Sequence, residues 1–403
     1  MSTLILDRSD LELRLDGDAL ALYEPAGRRG TVPLKLLDRV VMQGGIKLDA
    51  GVLTKLAEAG IATLLLSKRH SKRVAIVLGL AHNDAGIRLA QSRRVFDPDW
   101  CAAWATRQVR AKTRAQIRLL KEALQTRPDC RKPLTDALTG LRAAEASLPL
   151  SQRGIEGYRR VGASSDFNAD QHPPLFQRGA GGDFRTLELA QPLEKSPSIP
   201  LLKRGRPLSQ TLSVASPVDE KSAFEKGESH FAIASLRGLE GAAARAYFQG
   251  LAALFPPSLE FSGRNRRPPR DPVNACLSLG YTLLHFDAVR ACHLAGLDPL
   301  LGFYHRPSFG RESLACDLIE PLRPHLDRQV WHLFRDRTLR DDHFSRDGQA
   351  CLLGKAGRAA FYQDYESHAA ATRRLLLRQC RILAKHLKAE GAPWLADEEE
   401  ENF

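Results

Sequence analysis

The chain has 403 residues, 43% of them hydrophobic, enough to bury one large core or two modest ones; two domains is the expected organisation. Lysine and arginine outnumber aspartate and glutamate by 59 to 47, and the resulting charge of +12 favours a polyanionic partner. Seven scattered cysteines without a C-x-x-C pair argue against a disulfide framework or a zinc knuckle, and no apolar run nears the ~20 residues of a membrane-spanning helix, so a cytoplasmic location without membrane contact is expected.

Residues 1–80 read as a small β-rich domain. Leu11, Leu13 and Leu15 alternate with charged neighbours, Asp16-Gly17 supplies turn chemistry, and Leu20 and Leu22 resume the alternation, which predicts a hairpin. Further strands are expected at Val40 to Met42, Ala62 to Leu66 and Val74 to Leu78, with one short helix marked by Val52, Leu53, Leu56 and Ala57. From about Asn83 the period becomes helical, through Ile87, Trp100, Trp104, Val109, Ile117 and Leu124. The fold class is therefore α+β: the β-rich domain is followed by a larger, all-helical catalytic domain formed by 83–150 and 230–390.

Between those two helical stretches, residues 151–229 are rich in Gly, Pro, Ser and charge and lack spaced apolar positions, the composition of a disordered insertion. The near-copies Pro174-Leu-Phe-Gln-Arg-Gly179 and Pro200-Leu-Leu-Lys-Arg-Gly205 suit a genetic insertion into a permissive loop. Helical periodicity returns at Phe231 and lasts to about Leu387, and 391–403 form an acidic tail.

Three segments carry polar groups inside otherwise apolar sequence. In Leu236-Arg-Gly-Leu-Glu-Gly-Ala-Ala-Ala-Arg-Ala-Tyr-Phe248, small residues surround Glu240 and would let backbone or a ligand approach its carboxylate. In the stretch from Gly302 to Pro324, Pro307 and Gly310 place His305 in or beside a loop. Ser313 to Leu322 is expected to be helical, with Asp317 and Glu320 three residues apart on one face. A histidine followed by two carboxylates could form an oxygen-and-nitrogen site for Mg²⁺ or Mn²⁺; the same spacing also suits a capping histidine and solvated acids. Basic clusters at Lys68 to Arg73, at Arg93, Arg94, Arg107, Arg110, Lys112, Arg114 and Arg118, and at Arg264, Arg266, Arg267 and Arg270 could follow a DNA backbone.

Taken in order, the Glu240 helix, the helix of Asp271-Pro-Val-Asn-Ala-Cys-Leu-Ser-Leu-Gly-Tyr281 and the Gly-Phe-x-His segment leading into Ser-Leu-x-x-Asp-Leu resemble the CRISPR-associated integrase family of spacer acquisition. The resemblance runs from the N-terminus to about residue 387, apart from 151–229; the chain departs from the family in that long insert and in Arg306 directly after the histidine. It implies a metal-dependent endonuclease and integrase that inserts short DNA fragments into a repeat array. It implies catalytic residues Glu240, His305, Asp317 and Glu320, with Mg²⁺ or Mn²⁺ held by Glu240, His305 and Asp317 and with Glu320 behind them or as an alternate ligand. It further implies a homodimer that works on double-stranded DNA with a small second CRISPR adaptation subunit. A branched-DNA repair nuclease and a non-catalytic DNA-binding scaffold of the same fold stay open.

Overall fold

A computed structural model describes residues 2–8, 10–67, 73–80, 82, 84–149, 220–265 and 268–395. The basic positions 68–72, 266 and 267, the segment 151–219 and most of the acidic tail lie outside these residues.

Strands β1 (Ser2–Leu6), β5 (Leu37–Gln43), β7 (Ala62–Leu66) and β8 (Arg73–Val77) form one four-stranded sheet in that order, parallel except for the antiparallel β7–β8 pair. A second sheet has the order β4 (Gly27–Pro33), β3 (Ala19–Glu24), β2 (Glu12–Asp16) and β6 (Lys47–Leu48). The expected hairpin is β2–β3: Leu13 faces Leu22, and Gly17 turns the chain at φ 57°, the left-handed region that glycine enters without strain. Helix α1 (Ala50–Glu58) is capped by Asp49, whose carboxylate accepts from the Val52 N–H at 3.0 Å. Its Val52 and Leu56 join Leu13, Leu20, Val40 and Met42 in the core of this part.

The two-residue period of β5 decides how the sheet meets the helices. Val40 and Met42 point into the core just described; Val41 belongs to the main helical core, and Arg39 and Gln43, also buried, share its face. Helices α6 (Pro272–Leu294) and α9 (Lys355–Gly391) lie against that face. Fully buried Arg39 pairs with Asp287 of α6 and Glu366 of α9 and donates to Thr3 Oγ1 at 2.9 Å, while Tyr365 donates to Asp287 at 2.9 Å.

The remaining helices are α2 (Ala85–Val95), α3 (Pro98–Thr126), α4 (Arg131–Ala146), α5 (Glu220–Ala252), α7 (Ser313–Ile319) and α8 (Arg323–Arg335). Asp97-Pro98 and Asp271-Pro272 start α3 and α6 in the same way: the aspartate accepts an N–H of the first turn and the proline occupies a position that needs no donor. Two features differ from the sequence-based expectation. Residues 220–229 are the first turns of α5, so the irregular segment ends earlier than residue 229. Among the described residues the second part is helical except for one hairpin, β9 (Phe344–Asp347) with β10 (Ala350–Leu353), turned by Gly348 at φ 59°. No described helix is long and apolar enough to cross a membrane.

Candidate active site

The segment Gly302 to His305 lies across the start of α7. A Cβ on Gly302 would stand 2.5 Å from the Ser313 carbonyl carbon and 2.8 Å from the Leu314 nitrogen, so only glycine permits this approach. The Phe303 ring then packs edge-on against Trp100 and Trp104 of α3. Asp317, fully buried one turn into α7, fastens the segment. One carboxylate oxygen accepts from the N–H groups of Phe303 (2.8 Å) and Tyr304 (2.9 Å), the other from the N–H of His305 (2.9 Å) and from His305 Nδ1 (2.7 Å). Four donors fill the acceptor capacity of a carboxylate. Because Nδ1 donates, the lone pair of the neutral imidazole lies on Nε2, which has no hydrogen-bond partner among the described residues.

Glu240 and Glu320 meet elsewhere in the same site. Lys112 of α3 places Nζ 2.5 Å from Glu240 Oε1 and 2.6 Å from Glu320 Oε2. The Tyr304 hydroxyl donates to the other Glu240 oxygen, and the Arg323 guanidinium lies 3.2 Å from the other oxygen of Glu320. Burial works against charging the Glu320 carboxyl, yet Arg323 and Lys112, aided by nearby His305, bring it down to about 2. Burial, with Glu240 next, pushes the Tyr304 phenol up, so this hydroxyl stays a donor.

The structure therefore brings His305 and Asp317 into direct contact, links Glu240 to Glu320 through Lys112, and joins the two pairs through Tyr304. Among the described residues no three His, Cys, Asp or Glu side chains already converge as a ligand set. Glu240, Glu320 and His305 Nε2 could hold a divalent cation: the two carboxylates already bracket a positive charge, and the imidazole leaves a nitrogen open. Asp317 has no oxygen to spare. In the sequence Lys112 falls on the expected DNA path rather than between two carboxylates, and Arg323 is not singled out, although its i,i+3 spacing after Glu320 is a usable signal.

Beside the carboxylates lies a cavity of about 240 Å³ whose wall includes Lys112, Gln116, Arg237, Phe248, Arg264 and Tyr281. Gly241 and Ala244, one and four residues after Glu240, also face it, and a Cβ built on Gly241 meets nothing within 4 Å, so the small residues of this helix leave space for a ligand. The Asn274 motif supports the far side: Asn274 accepts from Arg264 at 2.7 Å, Tyr281 donates to Asp327 at 2.5 Å, and Arg264 and Arg323 stack on the Tyr281 ring. Other basic residues of the expected DNA path have internal partners. Arg94 pairs with Glu390 at 2.9 Å, Arg110 donates to the Pro149 carbonyl at 2.6 Å, and Arg114 pairs with Glu145 at 2.6 Å.

A family model described as CRISPR associated protein Cas1 matches residues 4–160 and 202–367. Over 368 residues the chain is 32% identical to the CRISPR-associated endonuclease Cas1 1 of Thermodesulfovibrio yellowstonii, an alignment covering 91% of each chain. Its fold is similar to that of a casposase bound to integration product (TM-score 0.66, 17% identity, 97% of this chain and 91% of that one). It is also similar to part of a chain in a Cas6-RT-Cas1–Cas2 complex (TM-score 0.64, 19% identity, 96% of this chain and 35% of that one).

Proposed function

The chain belongs to the CRISPR-associated Cas1 family, and on that premise we propose that it is a divalent-metal-dependent integrase that joins short DNA fragments to a repeat array. The observation that carries this reading is the convergence of Glu240 and Glu320 on one positive charge beside a histidine whose Nε2 is left open. Glu240, Glu320 and His305 would hold Mg²⁺ or Mn²⁺, with Asp317 fixing the ring and tautomer of His305 from behind. Bound there, the cation would polarise a phosphoryl oxygen and favour the attacking alkoxide.

In the joining step the 3′-hydroxyl of the incoming fragment attacks a phosphodiester of the repeat. One P–O bond forms, one breaks, and the repeat strand leaves with a free 3′-hydroxyl, so no outside energy source is needed. The chain's share is orientation and charge: the imidazole is clamped by Asp317, and Arg237, Arg264 and Arg323 line a space where phosphates would be met. Joining both ends of a fragment requires two such sites, which a homodimer supplies by symmetry. A small partner subunit fits the same reading, since one fold relative comes from a complex that contains Cas2. The protein would act in the cytoplasm.

Incubation with a short duplex and supercoiled repeat DNA separates the readings, because joined, merely cut and merely bound products migrate differently. Glu240→Ala and Glu320→Ala should each abolish joining and cutting while duplex affinity stays nearly unchanged. Asp317→Asn should slow joining but keep metal affinity close to that of the parent. Full joining by Glu240→Ala in Mg²⁺, or equal joining by the parent in EDTA, would overturn the reading.

A further inference from the structure

The Lys112 ammonium stands where the proposed cation would have to go, between one oxygen of Glu240 and one of Glu320. We propose that Lys112 is a built-in counter-ion that holds these carboxylates together in the metal-free protein, and that on metal binding its side chain swings into the adjoining cavity to face a DNA phosphate. The proposal rests on the metal reading above and adds a role for a residue outside the ligand set.

The charges lead to this conclusion. Glu240 and Glu320 carry two negative charges, and Lys112 and Arg323 carry two positive ones, so the metal-free cluster is balanced. A divalent cation adds two positive charges a few ångströms from an ammonium, and at that distance in a partly buried site the repulsion is large. Arg323 is held in place by its stacking on Tyr281 and its own contact with Glu320, so it has little freedom to leave. Lysine is different, with a compact charge on a four-carbon stem that can reorient without moving the backbone. Space exists for that movement: Lys112 already borders the cavity, as do Arg237 and Arg264, and the side of α5 next to Glu240 is open at Gly241. In that cavity an ammonium beside guanidinium groups is stabilised by an anion among them. A backbone phosphate of the bound DNA supplies one, which would couple metal binding to substrate binding.

The parent protein can be tested directly by brief acetylation with an N-hydroxysuccinimide ester, read by mass spectrometry. In EDTA, Lys112 should be protected while the more exposed Lys55 reacts; Mn²⁺ should raise Lys112 labelling several-fold, and an added DNA duplex should suppress it again. In parallel, Mn²⁺ titration followed by electron paramagnetic resonance should show Lys112→Met binding the ion about tenfold more tightly than the parent when DNA is absent, since the competing charge is gone. Labelling that is the same with and without Mn²⁺ overturns the proposal, as does weaker Mn²⁺ binding by Lys112→Met; if that variant does not fold, the labelling result alone decides. Should the parent bind no Mn²⁺ at all, the metal reading falls together with this inference. Tight Mn²⁺ binding with unresponsive Lys112 sinks only the inference.

Discussion

Asp327 and Glu320 are both buried near the same cavity, yet their surroundings move them in opposite directions. Glu320 has Arg323 and Lys112 within ion-pair distance, which offsets burial and holds its carboxyl at about 2. Asp327 is dominated by burial; the hydroxyls of Tyr281 (2.5 Å) and Tyr247 (2.7 Å) compensate only in part, and its carboxyl is pushed up to about 6. The folded protein thus holds the Asp327 proton more tightly than the unfolded chain does. Its contribution to stability is full below the ordinary carboxylate range and is lost as pH rises through about 6. Asp327→Asn, which imitates the neutral form, should raise the melting temperature at about pH 7.5, with the gain vanishing by about pH 4. A constant difference across that range, followed by calorimetry, would rule out the shifted proton. At this scale the family motifs led to Glu240, His305, Asp317 and Glu320, but not to their division of labour. Three-residue spacing puts Asp317 and Glu320 on one face of a helix but does not say what each meets: Asp317 accepts from the segment Phe303 to His305, while Glu320 reaches Lys112 and Arg323. The burial of Lys112 on a helix otherwise rich in basic residues depends on which acids the fold brings opposite it, and no local pattern records that.

At the scale of elements, the sheet is locked to α6 and α9 by charge as well as by apolar contact. Arg39 is fully buried on β5 with Asp287 and Glu366 around it, and Arg373 adds contacts to the same two acids at 3.2 and 2.7 Å. Removing one partner of such a cluster strands a buried charge. Arg39→Ala should cost about 3–5 kcal/mol in urea unfolding, whereas Arg39→Ala combined with Asp287→Asn should cost less than the two single changes summed. Strict additivity would show that these side chains do not interact. The strands of the β-rich part were legible where apolar residues alternate or run together, as in β2, β3, β5 and β7. Strand β4, Gly27-Arg-Arg-Gly-Thr-Val-Pro33, has no such alternation because it lies at a sheet edge and is mostly exposed. The β9–β10 hairpin was missed although Asp347-Gly348 between Phe344 and Leu353 is a usable turn signal. The surrounding helical pattern masked it.

For the whole molecule, the break in the family match falls between two helices that pack together. The family match breaks at residue 160 and resumes at 202, inside the segment whose composition had already suggested an insertion. Close contacts of Gly140 with Ala246 and of Gly250 with Ala137 run in opposite directions along the two helices, so α4 and α5 are antiparallel. The end of α4 at Ala146 consequently lies near the Glu240 region of α5, and the start of α5 at Glu220 is about 30 Å away at 1.5 Å per helical residue. Without 161–201, roughly thirty residues would still join the helices, and at about 3.3 Å each they could span three times that distance. The contacts described between α4 and α5, and those of Glu240, are made by residues outside 161–201. A chain with 160 joined directly to 202 should be soluble, melt within about two degrees of the parent, keep the parent's mass by light scattering and join fragments at a comparable rate. Joining residue 150 to 230 should be worse, because it cuts away the first turns of α5. If the shorter deletion folds and keeps its mass but no longer joins DNA, the inserted residues take part in handling the substrate. If it precipitates, they stabilise the fold.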